Sequence, residues 1–287
     1  LKFLKIAKFK LTMHEIIFKG GLGNQLFCLF QAYKILIKYK AKVFINLSNY
    51  SFSKRGDRKF IINNLYPPLY EEFQVSSKTF AKIIFITSRV LEKCFVLQSD
   101  ERLPGDKSFS INYFPNRYLH SGYFQKIYNS DLDKEALELI IKKFSPYISK
   151  KKNRNLAIHI RRGDYLSKDH NIHGIINERF LINESKKQML KTEFKGITIF
   201  SDSPELIDLR KFRELHRDIC IDPGGSAIEV FKRMANHKGL VASNSTFSFW
   251  AGILGGINNF SIPYYWMKNV KSSLIGLEDI YRYKCEL

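Results

Sequence analysis

The chain has 287 residues, of which 45% are hydrophobic, 14% aromatic and 26% charged, a composition with enough apolar residues for a core, which excludes intrinsic disorder. No Gly-X-Y period, solenoid repeat or heptad run is found along it, so fibrous and repeat folds are excluded, and the length suits two domains of about 130–150 residues. Lys and Arg number 47 against 27 Asp and Glu, a formal charge of +20 that calls for an anionic partner: nucleic acid, acidic lipid or a phosphorylated small molecule.

Residues 1–11, LKFLKIAKFKL, alternate Lys with Leu, Phe and Ile, the pattern of a basic amphipathic helix on anionic lipid, or equally of sequence upstream of a start at Met13. A short apolar strand over 15–18 runs into Gly20, Gly21, Leu22, Gly23 and Asn24. A helical stretch over 25–39 and a strand over 42–46 follow, so the chain opens like a βαβ unit of an α/β protein. The glycine turn is neither a dinucleotide fingerprint, whose last glycine would fall at Leu26, nor a P-loop, because the Lys-Ser/Thr pair is missing. Its glycines still allow a ligand to approach the backbone closely.

From 48 to 117 the pattern is irregular apart from a helix over 76–93, and no topology is legible. The apolar run over 82–96 is interrupted by Ser88, Arg89, Glu92 and Lys93 and falls short of the ~20 residues of a membrane span. Asp131-Leu132-Asp133 matches the D-x-D pattern of metal-bound diphosphate. It follows Ser130 and precedes a helix over 136–144, where a capping box is a sufficient explanation, so no metal site is expected.

A Pro- and Lys-rich stretch over 145–155 marks a domain boundary near residue 150. Beyond it, strands over 156–160, 197–201, 218–221, 239–242 and 260–262, with helices over 226–237 and 245–254, read as a Rossmann-like parallel sheet. Ligands of such sheets sit outside the carboxyl ends of the strands. The cysteines Cys28, Cys94, Cys220 and Cys285 are far apart, with no C-x-x-C pair, which points to a reducing cytoplasm rather than a disulfide framework or zinc site.

The strongest constellation is His159-Ile160-Arg161-Arg162-Gly163-Asp164-Tyr165 at a strand end. Neighbouring side chains of a strand point to opposite faces, so one arginine can aim at an anion while the other pairs with a carboxylate such as Asp164. Guanidinium suits a diphosphate because its planar fork donates two hydrogen bonds and stays charged. Ser243, Asn244, Ser245, Thr246 and Ser248 open a helix, where side-chain capping and phosphate binding at free N–H groups are both open readings. Asp202, after Phe200-Ser201, either meets a base or ribose or is a helix N-cap.

In order along the chain, GGLGNQLF at 20–27, SGYFQ at 121–125, HIRRGDY at 159–165, FSD at 200–202 and NSTFSFW at 244–250 resemble glycosyltransferase family 11, the galactoside α-1,2-fucosyltransferases, particularly bacterial members that build surface polysaccharide. The resemblance implies a GT-B-like fold, two Rossmann-like domains facing a cleft, with residues 1–150 on the acceptor side and 151–287 binding GDP-fucose. It implies inverting, metal-independent transfer of L-fucose from GDP-β-L-fucose to the 2-hydroxyl of a terminal galactose in an oligosaccharide, with no cofactor. Arg161 would hold the β-phosphate, His159 and Asp202 belong to the nucleotide pocket, and Asn244, Ser245, Thr246 and Ser248 flank the diphosphate. Arg162 and Asp164 look like a supporting pair, and Gly23 and Asn24 reach in from the N-terminal domain. Asp164, Asp169 or His173 could accept the proton of the acceptor hydroxyl. The family usually has two tryptophans where this chain has Phe249-Trp250, implying an aromatic wall of altered shape. The expected setting is the cytoplasm, with peripheral contact to the inner face of an anionic plasma membrane. Two other readings stand beside this one: transfer from another GDP-sugar or to another position, and a basic polyanion- or nucleic-acid-binding protein, against which no RRM, KH or helix-turn-helix signature is present.

Overall fold

The computed structural model describes residues 12–52, 58–95, 109–125, 130–149, 152–163, 174–267 and 270–271. The chain opens with β1 (Met13–Ile17), α1 (Leu22–Tyr39) and β2 (Lys42–Asn46). Short helices α2 (Ser48–Phe52), α3 (Ile62–Leu65) and α4 (Leu69–Glu72) follow, then β3 (Gln74–Val75), α5 (Lys78–Phe95), β4 (Phe109–Phe114), β5 (Arg117–Ser121) and α6 (Asp131–Phe144). The second half holds β6 (Asn153–Ile160), α7 (Glu178–Lys191), β7 (Ile197–Ser201), β8 (Ile219–Ile221), α8 (Ala227–Ala235), β9 (His237–Val241), α9 (Thr246–Leu254) and β10 (Asn259–Ser261). A two-stranded ribbon, β11 (Tyr265–Met267) with β12 (Val270–Lys271), comes last.

These strands form two five-stranded sheets, one ordered β3-β2-β1-β5-β4 and parallel except for β4, the other ordered β10-β9-β6-β7-β8 and parallel throughout. The α/β, GT-B-like architecture expected from the sequence is therefore the one formed. The expected boundary near residue 150 falls on residues 150 and 151, outside the described ones, as does the amphipathic pattern of residues 1–11. Among the described residues no helix is long and apolar enough to cross a membrane.

Helix α1 begins three residues before the expected 25, because the glycine turn itself supplies its first turn. Gly20, at φ 75, adopts a left-handed conformation that favours glycine, and Gly21 is the N-cap. The helix stops where Lys40 turns left-handed and donates its N–H to the Leu36 carbonyl. Gln25, fully buried, ties the turn to the following loop: its amide donates to the carbonyls of Gly20 (3.0 Å) and Lys59 (2.8 Å), and its Oε1 accepts from the N–H groups of Ile61 and Ile62 (both 3.0 Å).

The irregular stretch from 48 to 117 holds β3 and β4, the two edge strands of the first sheet, and leads into β5, which lies inside it. A two-residue turn with Asn116 at φ 60 folds β5 back along β4 and lays it parallel to β1, with Met13 opposite Arg117 and Ile16 opposite His120. The exits of β1 and β5, which carry GGLGNQLF and SGYFQ, are thereby adjacent.

One apolar cluster runs through both halves, from Ile16 and Phe27 to Phe249, Trp250 and Phe260, because α1 and α6 pack on α9. The Phe27 ring lies 5.7 Å from that of Phe249, nearly parallel, and 5.2 Å from Trp250, edge on. Phe249 and Trp250 are wholly buried. The aromatic wall expected there is a core seam between the two halves, formed because α9 turns these rings toward α1.

Helix α6 starts with the expected capping box: Ser130 Oγ accepts from the Asp133 N–H (3.2 Å), and Asp133 Oδ2 accepts from the Ser130 N–H (3.1 Å). Asp133 is buried and also pairs with Lys34 of α1, whereas Asp131 is exposed. The hydrogen bonds and the lysine hold the Asp133 carboxyl below its ordinary pKa, against the opposing effect of its burial.

Candidate functional site

Strand β6 is central in the second sheet, flanked by β9 and β7, and the ends of all three bring their following residues together. Ile160 pairs with Ser201 and Ile158 with Val241, so Arg161, Asp202 and the segment beginning at Ser243 leave the sheet side by side. Asp202 is shared: Arg162 donates its backbone N–H to Oδ1 (2.9 Å), and Arg161 Nε lies 3.1 Å from Oδ2. A Cβ on Gly163 would stand 2.4 Å from Asp202 Oδ2, so only glycine lets the turn close over this carboxylate.

Just past the last residue of β6 the two arginines take different partners. Arg162 turns away to Glu178, at 3.5 Å in the first turn of α7, and donates to the Ile176 carbonyl (3.0 Å). The partner expected for it, Asp164, lies outside the described residues, as do Asp169 and His173. Asp202 does not cap a helix: Ser203 stands at the N-cap position of the 3-10 turn Pro204–Leu206, and Asp202 is committed to the arginines. Its carboxylate thus orients the Arg161 guanidinium while sharing its charge.

His159 is buried, and its Nδ1 shares a 2.9 Å hydrogen bond with Ser243 Oγ. Burial, reinforced by the Arg161 charge and only partly offset by Asp202, lowers its pKa to about 3, so the imidazole is neutral near pH 7.

The segment after β9 differs from a simple cap. Ser245 is the N-cap of α9, yet its side chain makes no capping bond, and Ser248 is fully buried with its hydroxyl donating to the Ser245 carbonyl (3.2 Å). Neither α9 nor α1 has an acidic residue in its first turn, and neither is capped by a side chain. Their N-termini also meet: a Cβ on Gly23 would lie 2.4 Å from the Thr246 carbonyl carbon and 2.5 Å from the Phe247 nitrogen. Two positive helix ends therefore converge beside Arg161, a disposition that attracts oxygen anions.

Asn24 and Asn244 belong to a chain of hydrogen bonds joining the halves. Gln125 Nε2 donates to Asn24 Oδ1 (3.2 Å), Trp266 Nε1 donates to Gln125 Oε1 (3.0 Å), and Asn244 Nδ2 donates to the Trp266 carbonyl (3.2 Å). Asn244 also donates to the Gly174 carbonyl (3.3 Å). Phe124 takes a left-handed backbone (φ 51) just before Gln125. On the first-sheet side, Lys19 Nζ lies 3.1 Å from Ser121 Oγ and 5.4 Å from the Tyr123 ring centroid. A guanidinium nitrogen of Arg58 would be 3.2 Å from a Cβ on Gly21.

Sequence reasoning did not assign Glu178, Gln125, Trp266, Lys19 or Arg58 to the site. Gln125 closes the SGYFQ motif and Lys19 directly precedes GGLGNQLF, so both carry a local signal. Glu178, Trp266 and Arg58 carry no local signal, since only folding brings them near the strand ends. Among the described residues no group of three or more His, Cys, Asp or Glu side chains could hold a metal ion.

Two parallel-dominated α/β sheets, with arginines and two converging helix N-termini at the strand ends, define a GT-B-like α/β protein. The sequence model of glycosyl transferase family 11 matches residues 13–284, and the chain belongs to that family. It is 24% identical over 258 residues to an α-1,2-colitosyltransferase of Escherichia coli, covering 82% of this chain and 85% of that protein. Among solved structures it is similar to a mutant of Arabidopsis thaliana FUT1 in complex with GDP (TM-score 0.49, 12% identity, 92% of this chain and 73% of that one). It is also similar to NodZ α-1,6-fucosyltransferase co-crystallized with GDP (0.43, 10%, 85% and 93%) and to E. coli heptosyltransferase WaaC with ADP (0.44, 10%, 92% and 90%).

Proposed function

We propose that the protein transfers L-fucose, with inversion, from GDP-β-L-fucose to the 2-hydroxyl of a terminal galactose in an oligosaccharide. The observation that carries this reading is Arg161, held by Asp202 at the end of β6 beside the uncapped N-termini of α1 and α9, in a chain of family 11. As the bond between sugar and diphosphate breaks, the sugar carbon becomes cationic and negative charge grows on the leaving GDP. Cations and N–H dipoles fixed in advance stabilise that charge most, because they need no reorganisation during the reaction. Arg161 takes the β-phosphate, the helix ends take the remaining phosphate oxygens, and Asp202 keeps the guanidinium aimed. No metal is needed when the leaving charge is met in this way, and EDTA is expected to leave activity intact.

The donor sugar has a second reading, colitose in place of fucose, favoured by the likeness to the E. coli α-1,2-colitosyltransferase. Both readings share the nucleotide and the linkage and differ only in the pocket around the sugar.

Incubation with a panel of GDP- and UDP-sugars and β-galactosides, with the product linkage read by NMR, tests these assignments. Transfer from GDP-fucose forming a 1,2 bond is expected; salt-sensitive DNA binding without GDP affinity would overturn the reading. Arg161→Ala should slow transfer by about 10²–10³-fold or more and weaken GDP binding. Wild-type turnover in that variant would remove Arg161 from the donor site.

A further inference from the structure

Helix α5 carries a ridge of exposed apolar side chains that no described residue covers. Its inner face is anchored by Ala81, Ile84 and Ser88, all buried, with Ile84 packed against Ile17 of β1 and Leu119 of β5. Because strand neighbours point to opposite faces, Ile17 meets α5 while Ile16 joins the cluster around α1, and α5 therefore covers the side of the first sheet away from α1 and α9. On the opposite face of α5, Ile83, Ile86 and Val90 recur at helical spacing and are 57%, 56% and 56% exposed. Exposed Lys78 and Lys82 flank this ridge. The helix sequence, residues 78–95, contains four basic residues, Lys78, Lys82, Arg89 and Lys93, and a single acid, Glu92.

We propose that the outer face of α5 docks on an anionic lipid bilayer. Branched aliphatic side chains enter the boundary between headgroups and acyl chains, while neighbouring lysines remain at the phosphate level, their stems lying along the apolar surface. Charge favours this occupant over a second copy of the chain. Apposed ridges would bring the basic flanks of two molecules together, each with a formal charge of +20, whereas an anionic leaflet neutralises them. Helix α5 lies on the face of the first sheet away from α1 and α9, the helices whose N-termini meet at the strand ends.

Sedimentation of the full chain with phosphatidylglycerol-containing vesicles, with pure phosphatidylcholine vesicles as comparison, tests the assignment. The wild-type chain is expected to sediment with the anionic vesicles and not with the neutral ones. The double variant Ile83→Glu/Ile86→Glu should lose about tenfold or more of that partitioning at an unchanged melting temperature, since both positions are exposed. A second variant, Ile83→Ser/Ile86→Ser, should lose binding in the same direction without adding charge. Equal partitioning of variant and wild type, or no wild-type partitioning, would overturn the proposal. So would light scattering that showed the substitutions turning a dimer into a monomer with vesicle binding unaffected, which would assign the ridge to a second copy.

Discussion

Gly163→Ala probes the device that aims Arg161 without touching either arginine. The added Cβ would lie 2.4 Å from Asp202 Oδ2 and 3.0 Å from its Cγ, where ordinary contacts begin at 3.4 Å. Gly163 has no positive φ, so alanine suits the backbone and the whole effect falls on the carboxylate. Asp202 must retreat by about 1 Å, which stretches its 3.1 Å contact with Arg161 Nε beyond hydrogen-bonding range. A charge-assisted bond of this kind contributes about 1.5–3 kcal/mol, so kcat/KM for the donor should fall by about 10–100-fold. Asp202 is partly exposed and is hydrated when displaced, so thermal stability should change little. Initial rates over a range of GDP-fucose concentrations give the ratio, and a melting curve provides the control. Because both substitutions sever the same contact, Gly163→Ala/Asp202→Ala should be no slower than Asp202→Ala alone. Donor kcat/KM within twofold of wild type for Gly163→Ala would refute the claim that Asp202 positions Arg161 during turnover.

Gly23→Ala should separate the N-termini of α1 and α9, because its Cβ meets backbone atoms of Thr246 and Phe247 that cannot rotate away; a loss of about 1–3 kcal/mol in urea unfolding is expected, together with loss of transfer. An unchanged urea midpoint would show that the helix ends do not pack this closely. Acid should destabilise the protein through its buried histidines. Burial lowers His120 and His159 from 6.5 to about 3, so between those values the unfolded chain binds protons that the folded chain refuses, and stability falls as the pH falls. At pH 5 the loss is about 2 kcal/mol for each of the two, to be read as a lower urea midpoint than near neutrality; equal midpoints would refute the assignment of neutral buried rings. Dialysis against EDTA should leave transfer unchanged, and a complete loss restored by magnesium would point to a metal.

Local chemistry made much of the fold legible before any coordinates. A strand, a glycine turn and an apolar helix mark the first βαβ unit; Ser130 three residues before Asp133 marks a capped helix; and five short apolar runs mark the second sheet within three residues of where it lies. Each of these signals is set by neighbours a few residues apart, through hydrogen bonds, caps and side-chain periodicity that the sequence displays directly. The likeness to family 11 was legible too, because its motifs occupy strand exits whose backbone demands particular residues, as Gly23 and Gly163 demonstrate.

Contacts between distant segments could not be read in this way. The run Phe109-Ser110-Ile111-Asn112-Tyr113 alternates as a strand does and Pro115-Asn116 turns the chain into β5, but alternation names no partner, and only the assembled sheet lays β5 against β1. The sequence supplied two adjacent arginines and several carboxylates. The fold assigned Asp202, some forty positions away, to Arg161, and Glu178 to Arg162, by placing β7 beside β6 and α7 over its end. The sequence likewise marked Phe249 and Trp250 as aromatic, but packing turned them into the seam between the halves. Secondary structure is specified over one or two turns of chain, whereas the pairing of charges and the burial of faces depend on which segments the completed sheets bring within a few ångströms of each other.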